Sequence, residues 1–255
     1  MRLTVSADAR PQVQSLLLVT LLSVALWFIP YADYLTYPFR LFVTFIHEGG
    51  HALASWLTGN SVLSLSVSPD TSGLTLATQG GFVSQVIVSS AGYVGAMAFG
   101  ALLLVLIRRG VAARIVLMGT AGLILALTLV FGLLLPFGHL ATNTWGEIPF
   151  TLGAGLFISA GLLALARWTN PRAAAFATAF LAAQCVLNAL LDLKTIFVMS
   201  SPLAHYTHSD AVNLANLTGL PRIVWAGIWV VLSLAILSAA LRVYGIKTEQ
   251  RSEIS

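Results

Sequence analysis

The chain has 255 residues, 58% of them hydrophobic and only 9% charged, with a formal net charge of +4. A water-soluble domain carries about 25% charged residues, and mean hydropathy here is +0.89. These values exclude a soluble globular enzyme and indicate a polytopic membrane protein, whose basic excess reports topology and anionic headgroups before nucleic acid.

About seven apolar stretches reach the length needed to cross a bilayer: 15–30, 39–57, 82–107, 112–135, 148–166, 173–199 and 223–244. The expected fold is an all-α membrane protein with a short β-hairpin after the second helix. No polar stretch is long enough for a separate soluble domain, so residues 1–255 form one integral-membrane domain. Its core covers roughly 39–199, and 200–255 supply a loop, the last span and a tail. The first apolar run continues past Ser23-Val24-Ala25 to Ile29, which favours a retained anchor over a cleaved signal. Arg108, Arg109 and Arg114, then Arg167 and Arg172, then Arg242, Lys247 and Arg251 fall on one side if the C-terminus is inside. Arg2 and Arg10 then lie on the other. The single cysteine, Cys185, lies in an apolar span, so no intramolecular disulfide can form.

The second span carries Phe45-Ile46-His47-Glu48-Gly49-Gly50-His51-Ala52-Leu53. Histidines at i and i+4 lie one turn apart on one helix face and can reach one tetrahedral Zn²⁺. Glu48 sits beside the first ligand, where a general base is needed. An ionisable side chain in a membrane helix costs ~2.5–3.5 kcal/mol, which makes it a functional-site candidate by default. Gly49 and Gly50 leave space either for substrate backbone or for helix packing.

Between the second and third spans, Leu63, Leu65 and Val67 alternate with Ser64, Ser66 and Ser68. Pro69-Asp70-Thr71-Ser72-Gly73 supplies a turn, and alternation resumes at Leu74. This predicts a β-hairpin: either a solvated surface feature or an edge strand that pairs with an extended substrate. Gly92, Ala96 and Gly100 form a small-residue stripe suited to helix packing and are assigned no chemistry. His139, Asn143 and Glu147 read as solvated loop residues.

Of nine acidic residues, only Glu48 and Asp192 fall within apolar spans. A catalytic zinc takes three protein ligands and keeps an open position, so Asp192 is the expected third ligand beside His47 and His51. Asn188, one turn earlier, is either an oxyanion donor or an interhelical hydrogen-bonding residue. Lys194 points to another face and snorkels. His205, His208 and Asp210 form a second polar cluster, taken as an extramembrane loop near the site mouth rather than a metal site. Val212, Leu214 and Leu217 mark a short amphipathic helix, ended by Gly219 and Pro221.

The HExxH motif in a membrane helix, the hairpin after it and the distant Asn188/Asp192 helix together resemble the site-2 protease family. The resemblance is strongest to its compact bacterial branch without a PDZ domain. It implies a multi-pass protein of a bacterial cytoplasmic membrane that cuts membrane-embedded protein substrates within the bilayer. It also implies His47, His51 and Asp192 as zinc ligands and Glu48 as the catalytic base. Better-known members carry Asp-Gly at the third-ligand position, where this chain has Asp192-Leu193. The competing expectation is a metal-binding transporter or regulatory scaffold with a protease-like core. Three strongly polar positions in two spans are too few to line an ion path.

Overall fold

A computed structural model describes residues 10–26, 28–139, 146–199 and 209–245. Asn143, His205 and His208 lie outside the described residues, as do the side chains of Asp192 and Lys194. In chain order the elements are α1 (Arg10–Leu26), α2 (Ala32–Leu57), β1 (Val62–Val67), β2 (Gly73–Ala77), α3 (Phe82–Arg108) and α4 (Ala113–Ala126). A π-helical segment (Leu127–Leu134) continues α4 into α5 (Leu135–Gly138). Then follow α6 (Ile148–Trp168), α7 (Pro171–Met199), α8 (Asp210–Thr218) and α9 (Arg222–Gly245).

Among the described residues, five helical stretches are long and apolar enough to cross a membrane: α3, the continuous run Ala113–Gly138, α6, Pro171–Leu191 of α7, and Arg222–Val243 of α9. A shorter apolar helix, Leu17–Leu26, lies in α1. The expected all-α membrane fold with one hairpin is the fold observed. α2 is not among these five, for a reason that places the site. Arg40, Thr44, His47, Glu48 and His51 recur every three or four residues, so one face of this 26-residue helix is polar. That face receives the hairpin and α8 instead of lipid.

The hairpin is not a solvated surface feature. β1 is buried, with Leu65 1% and Val67 0% exposed. The strands pair antiparallel with Leu65 opposite Thr75 and Val67 opposite Gly73. Ser72 donates its amide (2.9 Å) and its hydroxyl (2.6 Å) to Asp70 Oδ1, closing the turn. Thr71, at the turn, takes the left-handed conformation with φ 71°. The tip is tied to the N-terminal half of α2: Tyr37 donates to the Pro69 carbonyl at 2.7 Å and Arg40 to Thr71 Oγ1 at 2.9 Å. The outer edge of β1 is held by α6, where Thr151 Oγ1 accepts from the Val67 amide at 2.9 Å and donates to the Val67 carbonyl at 3.2 Å.

Close helix approach depends on the small residues. A Cβ on Gly50 would strike the Ala91 carbonyl of α3, and one on Gly49 would lie 2.5 Å from Leu127 of the π-helical segment. Both glycines of the motif therefore serve packing. Gly100 does the same for α3 against α7, where a Cβ would lie 2.9 Å from the Ala182 carbonyl. The main core gathers around Phe42, Phe45, Leu65, Met97, Leu117 and Ile124. A second, smaller cluster joins Tyr93, Ala211, Leu214 and Trp229.

Candidate metal centre

The helical spacing of His47 and His51 brings their Nε2 atoms to 3.1 Å. His51 Nδ1 lies 2.6 Å from the Val88 carbonyl of α3. A carbonyl can only accept, so Nδ1 carries the hydrogen and Nε2 presents its lone pair inward. Fixing the outer ring nitrogen in this way is how proteins orient a metal-binding imidazole.

The third donor is Asp210, the first residue of α8. Its Oδ2 lies 3.4 Å from His47 Nε2 and 3.3 Å from His51 Nε2. For an ion bonded tetrahedrally at ~2.0–2.1 Å, ligand atoms stand about 3.3 Å apart. The observed triangle has those edges. At 3.1 Å the two Nε2 atoms either share a proton or face a common cation, and the Asp210 carboxylate complements positive charge in both cases. The three side chains fit a metal ion and lie within 4.8 Å of one another.

Asp210 is held in place by α8. Ser209 caps the helix, accepting from the Val212 amide at 3.3 Å. Ala211 and Leu214, both 0% exposed, anchor the helix in the second cluster. Burial would raise the Asp210 carboxyl; positive charge on the His51 and His47 side, carried by ring protons when no metal is bound, outweighs it and holds the group below the ordinary carboxylate range.

Two residues of α3 shape the centre from the side. A Cβ on Gly92 would strike His47 Nε2 and approach His51 Nε2 to 2.5 Å. The Tyr93 ring meets His47 edge-on at 4.7 Å and stacks on Trp229 at 4.9 Å. Trp229 is fully buried and donates Nε1–H to Ser90 Oγ at 2.9 Å. The last helix thus braces the first ligand through one aromatic ring.

Glu48 is 6% exposed. Its Oε2 accepts from Thr75 Oγ1 of β2 at 2.7 Å. The strand passes directly over it: a Cβ on Gly73 would lie 2.5 Å from Glu48 Cγ. A cleft of about 270 Å³ opens beside these groups, bounded by Arg40, Thr44, His47, Glu48, Tyr93 and Asn188. Asn188 therefore reaches the site, with its Nδ2 donating to the Gln184 carbonyl one turn back at 2.9 Å.

The structure brings together His47, Glu48, His51 and Asn188 among the residues singled out from sequence. Asp192 lies on α7 one turn beyond Asn188, and its side chain is outside the described residues. The acid beside the imidazoles is Asp210, which the sequence places in an extramembrane cluster. Ser209-Asp210 ahead of an amphipathic helix was the available signal, an N-cap pair followed by apolar positions. Tyr93, Thr75 and Trp229 carry no sequence signal for a site, and Gly92 carries only that of a packing stripe.

The family model described as Peptidase M50B-like matches residues 16–240. No curated protein and no solved structure matches the chain.

Proposed function

We propose, from the premise that this chain belongs to the M50B-like peptidases, the site-2 protease family, that it is an intramembrane zinc endopeptidase acting on membrane-embedded protein substrates. The observation that carries this is the triangle of two imidazole nitrogens and one carboxylate oxygen, with edges of 3.1–3.4 Å, beside a buried glutamate. His47, His51 and Asp210 are the ligands in this proposal. Bound zinc supplies Lewis-acid polarisation of the scissile carbonyl and lowers the pKa of the attacking water.

The chain's own residues do the rest. Glu48 takes the water's proton and returns it to the leaving amine. Thr75 holds the Glu48 carboxylate by its hydroxyl. Asn188, at the wall of the cleft, orients the substrate carbonyl.

A membrane helix hides its carbonyls in its own hydrogen bonds, so a substrate must be unwound to be cut. β2 suits this task. Val67 turns both its main-chain groups toward Thr151, so Val67 and, two residues away, Leu65 do not hydrogen-bond across to Gly73 and Thr75. The main-chain groups of Gly73 and Thr75 therefore face away from β1, along an edge beside Glu48 that has no strand partner among the described residues. An extended substrate pairs there by strand addition. The cellular setting consistent with the family resemblance is a bacterial cytoplasmic membrane, with the lipid bilayer and a membrane-protein substrate as partners and no role for nucleic acid.

The test uses the full chain purified in detergent with zinc and a panel of single-span membrane peptides. Wild type should cleave at least one. Glu48→Gln should retain zinc and lose cleavage by about 1,000-fold or more, as expected when a general base is removed within a preorganised site. Cleavage by that variant at the wild-type rate would remove Glu48 from the mechanism.

A further inference from the structure

Beyond Thr75 the hairpin continues into a second cavity, of about 480 Å³, between the end of β2, the start of α3 and α8. It adjoins the metal centre through two of its lining residues. Thr75, whose hydroxyl holds Glu48, lines it, and so does Val88, whose carbonyl fixes His51. A strand paired with β2 past Glu48 arrives in this cavity within about 13 Å, four residues at ~3.3 Å each.

Its chemistry differs from that of the first cleft. Arg40 and Glu48 border the first. Among the described residues no charged side chain lines the second; its walls are Asn60, Gln79, Ser84, Gln85, Asn213 and Asn216 with small and apolar neighbours. One wall is braced: Asn60 Nδ2 donates to Ser84 Oγ at 2.6 Å, and Ser84 Oγ to Thr58 Oγ1 at 2.8 Å. Ser55, which also lines the cavity, is 0% exposed, and its Oγ has no hydrogen-bond partner among the described residues.

We propose that this cavity is the subsite for an uncharged, hydrogen-bonding stretch of the substrate, rich in Asn, Gln, Ser or Thr, lying next to the scissile bond along β2. The assignment rests on the endopeptidase function proposed above and names the substrate feature that site would select. Neutral polar side chains exchange water for amide and hydroxyl partners here at little cost. A charged side chain gives up hydration and finds no counter-charge among the described residues. The enzyme thus favours bonds flanked by a neutral polar segment over bonds flanked by lysines, arginines or acids.

Binding of fluorescent leucine hydroxamates to the zinc-loaded full chain in detergent, read by anisotropy, tests this without requiring turnover. One probe is untailed; the others carry Gln-Asn-Ser, Glu-Asp-Glu or Lys-Arg-Lys, attached in separate series on either side of the zinc-binding group. In one series the neutral tail should bind about 10-fold more tightly than either charged tail, a difference of about 1.4 kcal/mol. Gln79→Glu, on an exposed loop, and Asn216→Asp, on the facing wall, should each shift preference toward Lys-Arg-Lys by about 5-fold with zinc content unchanged. Equal binding of all three tails in both series, or an unaltered ranking in both variants, overturns the subsite. Absence of binding by every probe, the untailed one included, overturns the metal-site reading and the subsite with it.

Discussion

α2 and α8 deliver ligands to the same point but are held there by different means. α2 is 26 residues long, sits in the main core through Phe42 and Phe45, and carries its two histidines at a spacing the helix itself enforces. α8 is nine residues long and contributes Ala211 and Leu214, with Leu217 packed against them, to a small cluster with Tyr93 and Trp229. The imidazole pair is therefore built into the scaffold, whereas the carboxylate arrives on a separately docked piece. Disturbing the α8–α9 cluster should change metal affinity before it changes the fold. Disturbing the α2–α3 contact should change both, unless the substitution is confined to the metal itself.

The largest expected effect is Gly92→Ala. Alanine raises helix propensity by about 1 kcal/mol, yet its methyl group strikes the two ligand nitrogens. Bound zinc should fall to about a tenth or less while thermal unfolding in detergent is unchanged or slightly raised. Retention of full zinc would mean that the ligand rings have room the structure does not show. Next is Trp229→Leu, which removes the ring stacked on Tyr93 and should weaken zinc affinity about 10-fold, at the lower end for groups that orient metal ligands. An equal loss in a substitution elsewhere on α9 would turn this into a general stability effect. Thr75→Val should leave zinc untouched and slow cleavage about 10-fold, because a hydrogen bond to a carboxylate contributes ~1.5–3 kcal/mol. The smallest effect lies at the hairpin tip. The Ser72 hydroxyl and amide hold the Asp70 carboxyl below its ordinary value. A depressed carboxylate stabilises the fold above its unfolded pKa, and that contribution is lost as pH falls through the folded value. Amide exchange at the turn should rise by about 2-fold or less in strong acid, as for an exposed surface group.

The same contrast explains what the sequence disclosed. His47, Glu48 and His51 are legible because a helix converts residue spacing into geometry. The hairpin is legible because alternation and turn residues are local as well. Its burial was not, because the π-helical segment packs on β1 and α6 holds its outer edge, and both lie far along the chain. Apart from Glu48, Asp192 is the acid that lies inside an apolar span, which makes it the ligand local hydropathy selects. That criterion passes over Asp210, whose position depends on α8 folding back over α3 and packing on Trp229. Gly92 was read as one step of a packing stripe. Gly100 fits that description, but Gly92 faces the imidazoles, and no periodicity distinguishes the two.

The central claim is that His47, His51 and Asp210 together hold one metal ion. Zinc per chain, measured after dialysis of detergent-purified protein against a competing chelator, tests it directly when wild type is compared with Asp210→Asn and Asp192→Asn. The account predicts about one zinc in wild type, consistent with a three-ligand site, a similar content in Asp192→Asn, and loss in Asp210→Asn. Zinc retained by Asp210→Asn and lost from Asp192→Asn would contradict it.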